Sequence, residues 1–131
     1  MAQKQWAAAL EQFDAVLARD AEAPDVQAKA AEACLWTGHA QRALQITDGL
    51  LARKPPYRQD DVPLSRARAL AALDRRDESR DAFMALLDET ESLEVAAHYA
   101  ERLKVWGDFD AVHELRDEAL RRYERLPKHS R

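Results

Sequence analysis

The stretch that decides the fold is Ala30–Leu51, with the sequence AAEACLWTGHAQRALQITDGLL. Apolar and small residues recur on both sides of Gly38 at three- and four-residue intervals, a spacing typical of amphipathic helices. Glycine adopts the backbone conformations that follow a helix end, so Gly38 predicts a turn. The stretch is therefore predicted to form a pair of helices with small residues on the inside faces and Trp36 just before the turn.

The same spacing covers almost the whole chain, and no stretch alternates with a period of two, which predicts an all-α fold. Proline, glycine and capping residues divide the chain into about seven helices. Their predicted bounds are about Gln3–Arg19, Asp25–Thr37, Ala40–Arg53, Asp60–Arg75, Asp77–Asp88, Leu93–Trp106 and Phe109–Arg125. Pro127 is expected to end the order and to leave Lys128–Arg131 as a frayed tail.

Composition argues against several classes of protein. The chain has 131 residues, suited to one domain, and a net charge of −4 with both signs interspersed, whereas a nucleic-acid-binding protein usually has a basic surplus. No apolar run approaches the ~20 residues that a membrane span needs, and the N-terminus does not resemble a secretory signal. The single cysteine, Cys34, forms no internal disulfide and leaves the compartment undecided.

Equivalent positions recur with a period of about 34 residues, the mark of a repeat protein. Three sets of positions share the successive separations 34, 36 and 33: Phe13, Thr47, Phe83 and Arg116; Ala9, Ala43, Ser79 and Val112; and Val16, Leu50, Leu86 and Ala119. Gly38 and Gly107 lie two periods apart. Each unit is therefore predicted to hold two helices.

These residues resemble the tetratricopeptide repeat (TPR) family, in which helix pairs pack through small residues with a glycine at the turn. The resemblance implies a right-handed α-solenoid, with a lone second helix at 3–19, repeats at 24–55, 60–90 and 92–125, and a tail at 126–131. Cys34, Thr47 and Arg116 depart from the family pattern at aromatic positions, and Asp74 replaces the turn glycine. Both ends lack polar capping helices, which favours an excerpt of a longer array over end-to-end self-association.

In this family, ligands usually lie in a groove lined by the first helix of each pair, and the resemblance carries that role over by position. The residues of this predicted groove are Asp25, Lys29, Glu32, Trp36, Ser65, Arg68, Glu94, His98, Glu101 and Lys104. They either form an ordinary solvated helix surface or bind an extended polar or cationic ligand. Trp36 either stacks on that ligand or packs between repeats, and packing is favoured. The Lys, Asn and Arg clamp of the chaperone-tail adaptors is absent.

Evidence for catalysis is weak. Glu94, His98 and Glu101 share one helix face, but a metal site would need ligands from a second helix, and none is apparent. Cys34 and His39 are close in sequence, yet Cys34 is expected to face the core. Because no nucleophile motif and no glycine-rich loop is present, the sequence predicts no enzyme activity, no metal and no cofactor.

The preferred interpretation is a scaffold that recruits a partner protein into a larger assembly. The chain resembles the periplasmic TPR regions of bacterial exopolysaccharide-export proteins of the Pel type in its segments Trp36-Thr37-Gly38 and Leu50–Arg53. That resemblance would imply a polymer-modifying enzyme as partner and a periplasmic location. The alternatives are a groove that binds a polysaccharide or peptide directly, and a peptide-sensing regulatory module of a cytoplasmic protein.

Overall fold

The computed structural model describes residues 3–90 and 92–125 of the chain. Within these residues it contains seven helices and no strand. The helices are α1 (Gln3–Arg19), α2 (Pro24–Trp36), α3 (Ala40–Leu51), α4 (Val62–Ala72), α5 (Arg76–Thr90), α6 (Leu93–Val105) and α7 (Phe109–Arg125). The predicted all-α fold is confirmed for these residues. The predicted tail and Pro127 lie outside the described residues.

The bounds of α1 and α7 are as predicted, whereas the helices between them differ at their ends. The fourth helix begins at Val62 and not at Asp60, because Asp60 and Asp61 have φ angles of 55° and 57°, outside the α-helical region. The third helix ends at Leu51 rather than at Arg53. There the Tyr57 backbone N–H donates to the Leu50 carbonyl at 2.9 Å, so the chain folds back at once.

The chain divides into two compact units, one up to Ala82 and the other from Phe83. In the first unit α2 packs against α1, α3 and α4, and α3 also packs against α4. The centre of this unit is made of small side chains: Ala30, Ala31, Ala33, Cys34, Ala43 and Ala69 are fully buried. Small residues let helix axes approach closely, which explains why alanine occupies the repeated positions.

Three turns of the chain share one backbone geometry. Gly38, Asp74 and Gly107 have φ angles of 81°, 59° and 76°. In each case the next residue donates its backbone N–H to the carbonyl five residues earlier: His39 to Cys34 (2.7 Å), Arg75 to Leu70 (2.9 Å) and Asp108 to Leu103 (2.9 Å). This is the hydrogen bond of a glycine-type helix stop. Asp74 therefore performs the turn that the family pattern assigns to glycine.

Polar contacts join neighbouring helices of the first unit. Ser79 is fully buried, and its hydroxyl donates to the Ala67 carbonyl at 2.9 Å, which ties the start of α5 to α4. Arg42 on α3 pairs with Asp14 on α1 through both of its terminal nitrogens. A bidentate arginine–carboxylate pair fixes orientation as well as distance, and this one links α1 to α3.

The second unit contains the end of α5 with α6 and α7, and α6 packs against α7. Phe83 and Tyr99 are stacked with ring centroids 5.0 Å apart and an interplanar angle of 13°. The Ser92 hydroxyl accepts a hydrogen bond from the Val95 backbone N–H at 3.4 Å, so Ser92 caps the start of α6.

Candidate functional site

The first unit brings part of the predicted groove onto two neighbouring helices, α2 and α4. Asp25 and Lys29 are exposed on α2, Glu32 is half-buried on the same helix, and Arg68 is half-buried on α4. Ser65 is only 4% exposed. Its hydroxyl is therefore not offered to a ligand, and Ser65 is better described as a packing residue of α4.

Trp36 is the most prominent side chain of this surface, because it is 48% exposed although its ring has two close neighbours. The Trp6 indole stacks on it with a centroid distance of 5.9 Å and an interplanar angle of 10°. The Arg68 guanidinium carbon lies over the same ring, 5.4 Å from its centroid. We call Trp6, Trp36 and Arg68 the tryptophan cluster. It combines both interpretations of Trp36, since the ring packs on α1 and still presents almost half of its surface.

The position of Trp36 follows from how α2 ends. Trp36 is the last residue of α2, and the Thr37 hydroxyl donates to the Ala33 carbonyl at 2.8 Å. The Thr37 hydroxyl is also 2.8 Å from Nδ1 of His39. These contacts and the left-handed Gly38 fix the backbone directly after the indole. Trp36 is thus held by an ordered helix end and not by a loose loop.

Trp6 was not among the predicted groove residues, although it completes the cluster. Its Nε1 is buried and has no hydrogen-bond partner among the residues that the structure describes. An unsatisfied buried donor of this kind costs about 1–3 kcal/mol, which the stacking and the apolar contacts of the ring must offset. The only sequence signal was its place on the apolar stripe of α1. That stripe does not reveal which side chain of α2 the indole meets.

Cys34 lies in the centre of the first unit and not in the candidate site. Its side chain is fully buried, and burial raises the pKa of its thiol above the ordinary value. A thiol becomes a good nucleophile when its pKa is lowered and it is accessible. Cys34 fulfils neither condition and acts as a small apolar residue of the core.

In the second unit, the predicted groove residues lie along α6. Glu94, Glu101 and Lys104 are exposed and His98 is half-buried. Lys104 Nζ lies 3.7 Å from a carboxylate oxygen of Glu101, which is a weak solvent-exposed pair. Among the described residues no group of three or more His, Cys, Asp and Glu side chains could hold a metal ion.

The second unit also contains an open cleft between α6 and α7, with a volume of about 240 Å³. We call it the α6–α7 cleft, and its lining residues are Leu93, Ala96, Ala97, Ala100, Lys104, Val112, Leu115, Arg116 and Ala119. Leu93 at its edge is 77% exposed. On its α7 wall, Val112 is buried and Leu115 is half-buried.

Paired helices that end in the same left-handed turn, at intervals of 36 and 33 residues, define a helical-repeat protein. Residues 1–61 match the family model described as Tetratricopeptide repeat, which confirms the predicted TPR resemblance over that part of the chain. No curated protein and no solved structure matches the chain. Within the described residues, no helix is long and apolar enough to cross a membrane. Tetratricopeptide repeats generally mediate protein–protein interactions and are in general non-catalytic.

Proposed function

We propose that this chain is a non-catalytic scaffold that binds a partner protein, and that the tryptophan cluster is the anchor of the binding surface. The observation that carries the proposal is the geometry of Trp36. The indole is supported by Trp6 and Arg68, and it nevertheless leaves 48% of its surface exposed. The TPR match of residues 1–61 supports the general role of binding a protein, and the geometry of the tryptophan cluster supports its choice as the binding surface.

An exposed and immobilised tryptophan beside an arginine has the character of a binding hot spot. Hot spots are enriched in Trp and Arg, and each such residue typically contributes at least ~2 kcal/mol to binding. Because stacking on Trp6 has already restricted the Trp36 ring, a partner has little side-chain freedom left to remove. Arg68 adds a positive charge beside the ring, which favours partner segments that carry negative charge nearby.

The residues around the cluster indicate the chemistry of the partner segment. Asp25, Lys29 and Glu32 precede Trp36 along α2 at three- and four-residue spacing, and they alternate in charge. A surface of mixed sign favours a polar segment with an apolar or aromatic residue at Trp36 over a uniformly charged one. We therefore infer a polar peptide segment of a protein as the ligand. A polysaccharide is less favoured, because Trp6 and Arg68 already occupy positions against the ring on which a sugar would stack.

Affinity capture tests this proposal when the immobilised wild-type chain is compared with Trp36→Ala and Arg68→Ala. Phe109→Ala is the matched control, because Phe109 is another exposed aromatic residue, 60% accessible, in the second unit. A partner held through the cluster should be retained by wild type and by the control and lost by both cluster variants. For the purified partner, the dissociation constant should rise about 30-fold in Trp36→Ala. Equal retention by all four proteins would contradict the proposal.

The resemblance to exopolysaccharide-export proteins stays a prediction, and with it the polymer-modifying enzyme as partner and the periplasmic location. Since only the TPR family is matched, the general scaffold role has support that the export role lacks. Binding of the wild-type chain to a purified polymer-modifying enzyme, lost on Trp36→Ala, would favour the export role. Absence of such binding, with capture of a different protein, would contradict it.

A further inference from the structure

The charged residues that line the α6–α7 cleft are both basic. Seven of its lining residues are apolar, four of them alanines, and the remaining two are the cations Lys104 on α6 and Arg116 on α7. Among the described residues, no acidic side chain lines the cleft, although Glu101 beside it forms the weak exposed pair with Lys104. An apolar floor with a cation on each wall is complementary to a helix that carries small or flexible apolar side chains between carboxylates.

The chain itself has such a helix face on α5. Asp77, Asp81, Met84, Ala85 and Asp88 are spaced by three and four residues and so share one face. All five are exposed, and Met84 is 55% accessible. We call these residues the acidic face of α5. Their exposure shows that the described residues leave this face uncovered.

We propose that the α6–α7 cleft binds the acidic face of α5 from a second copy of this chain. Charge complementarity selects this occupant, because three carboxylates on α5 would meet Lys104 and Arg116 across the apolar floor. Methionine is unbranched and adapts to irregular gaps, which suits the insertion of Met84 between the alanines of α6 and the Ala119 side of α7. Carboxylates of the second copy would then lie at the rim, where the two cations are.

The size of the contact determines its strength. One helix face in one open cleft is a small contact beside the ~1,200–2,000 Å² of surface that stable interfaces bury. The self-association should therefore be weak and reversible. Because its charges lie at the rim and are solvent-exposed, raising the salt concentration from about 0.05 M to about 0.5 M should weaken it.

Sedimentation velocity over about 10 µM to about 1 mM protein tests the proposal with two charge-reversed variants of the full chain. The first, Asp81→Lys with Asp88→Lys, makes the α5 face basic. The second, Lys104→Glu with Arg116→Glu, makes the cleft acidic. The altered positions are exposed, and circular dichroism verifies that both variants are folded. A triple variant on α1 and α3, Glu11→Lys with Gln12→Lys and Gln41→Lys, is the control, because it changes the net charge by the same amount as the first.

The charge-reversed variants distinguish results that support the proposal from results that contradict it. Each should associate at least tenfold more weakly than wild type when alone, while the control associates like wild type. An equal mixture of the two should recover association, since each contact then pairs opposite charges again. The proposal is overturned if wild type sediments as a monomer throughout, if either variant associates like wild type, or if the mixture stays monomeric.

Discussion

Replacing Gly38 by alanine should destabilise the protein by about 1 kcal/mol, whereas the same replacement at Gly49 should stabilise it by about 0.5 kcal/mol. A Cβ atom at either glycine would meet nothing within 4 Å, so neither change creates a clash. The two positions differ in backbone conformation. Gly38 has a φ of 81° at the turn between α2 and α3, whereas Gly49 lies inside α3.

The magnitudes follow from the backbone alone. Placing alanine in the left-handed region costs about 1–2 kcal/mol. Alanine has less conformational freedom than glycine in the unfolded chain, which stabilises the folded state by about 0.4–1 kcal/mol. The net loss of stability at Gly38 is therefore about 1 kcal/mol. At Gly49 the unfolded-state effect and the helix propensity both favour alanine, by up to about 1 kcal/mol. The gain is reduced there because α3 ends at Leu51, so Gly49 lies in the last turn.

Urea denaturation followed by circular dichroism measures both changes, and a difference of 1 kcal/mol corresponds to about a fivefold change in the folding equilibrium. Gly38→Asp provides a third point, since Asp74 adopts a φ of 59° in the equivalent turn. This variant should lose less stability than Gly38→Ala, because aspartate tolerates the left-handed region better. Changes of the same sign at Gly38 and Gly49, or a stable Gly38→Ala, would refute this reasoning.

Three further outcomes are expected. Ser79→Ala should lower the free energy of unfolding by about 1 kcal/mol in denaturant titration, because the buried hydroxyl donates to the Ala67 carbonyl; an unchanged midpoint would show that this bond contributes nothing. The hydrogen bond to Asp60, with some burial, raises the pKa of Tyr57 to about 12. This bond stabilises the fold below the unfolded-state pKa of about 10, and the effect is lost as the pH rises through about 12. Asp60→Asn should lower the pKa of Tyr57 in an ultraviolet absorbance titration, and an unaltered curve would count against the bond. Cys34 should react with a thiol reagent only as fast as the first unit opens, because it is fully buried and its pKa is raised; rapid labelling of the native chain would disprove this.

The sequence predicts the helices of this chain well because their limits depend on local chemistry. A helix end depends on residues within about one helical turn, such as Gly38, Gly107 and the proline at the start of α2. The structure has helix ends at each of them. The early end of α4 was missed for a local reason too. Asp74 adopts the conformation usually left to glycine, and the residue type alone gave no strong signal of it.

The candidate site is harder to predict from the sequence, because it depends on contacts between helices. Trp6 and Trp36 are 30 positions apart, and their stacking depends on how α1 is rotated against α2. The position of Arg68 over the indole likewise depends on the approach of α4 to α2. Ser65 has the right position in the repeat for the groove, yet it is buried. Repeat position therefore predicts the helix on which a side chain lies, whereas its accessibility depends on neighbours that a single sequence does not show.

The stacked indoles of Trp6 and Trp36 also give the molecule an optical property. Two indole rings with centroids 5.9 Å apart and nearly parallel planes are close enough for their electronic transitions to couple. Such coupling adds bands of its own to the circular dichroism spectrum when the in-plane transition dipoles of the two rings are inclined to one another. The bands vanish when α1 leaves α2, even if both helices stay helical. The native chain thus carries its own spectroscopic label for the docking of its first helix.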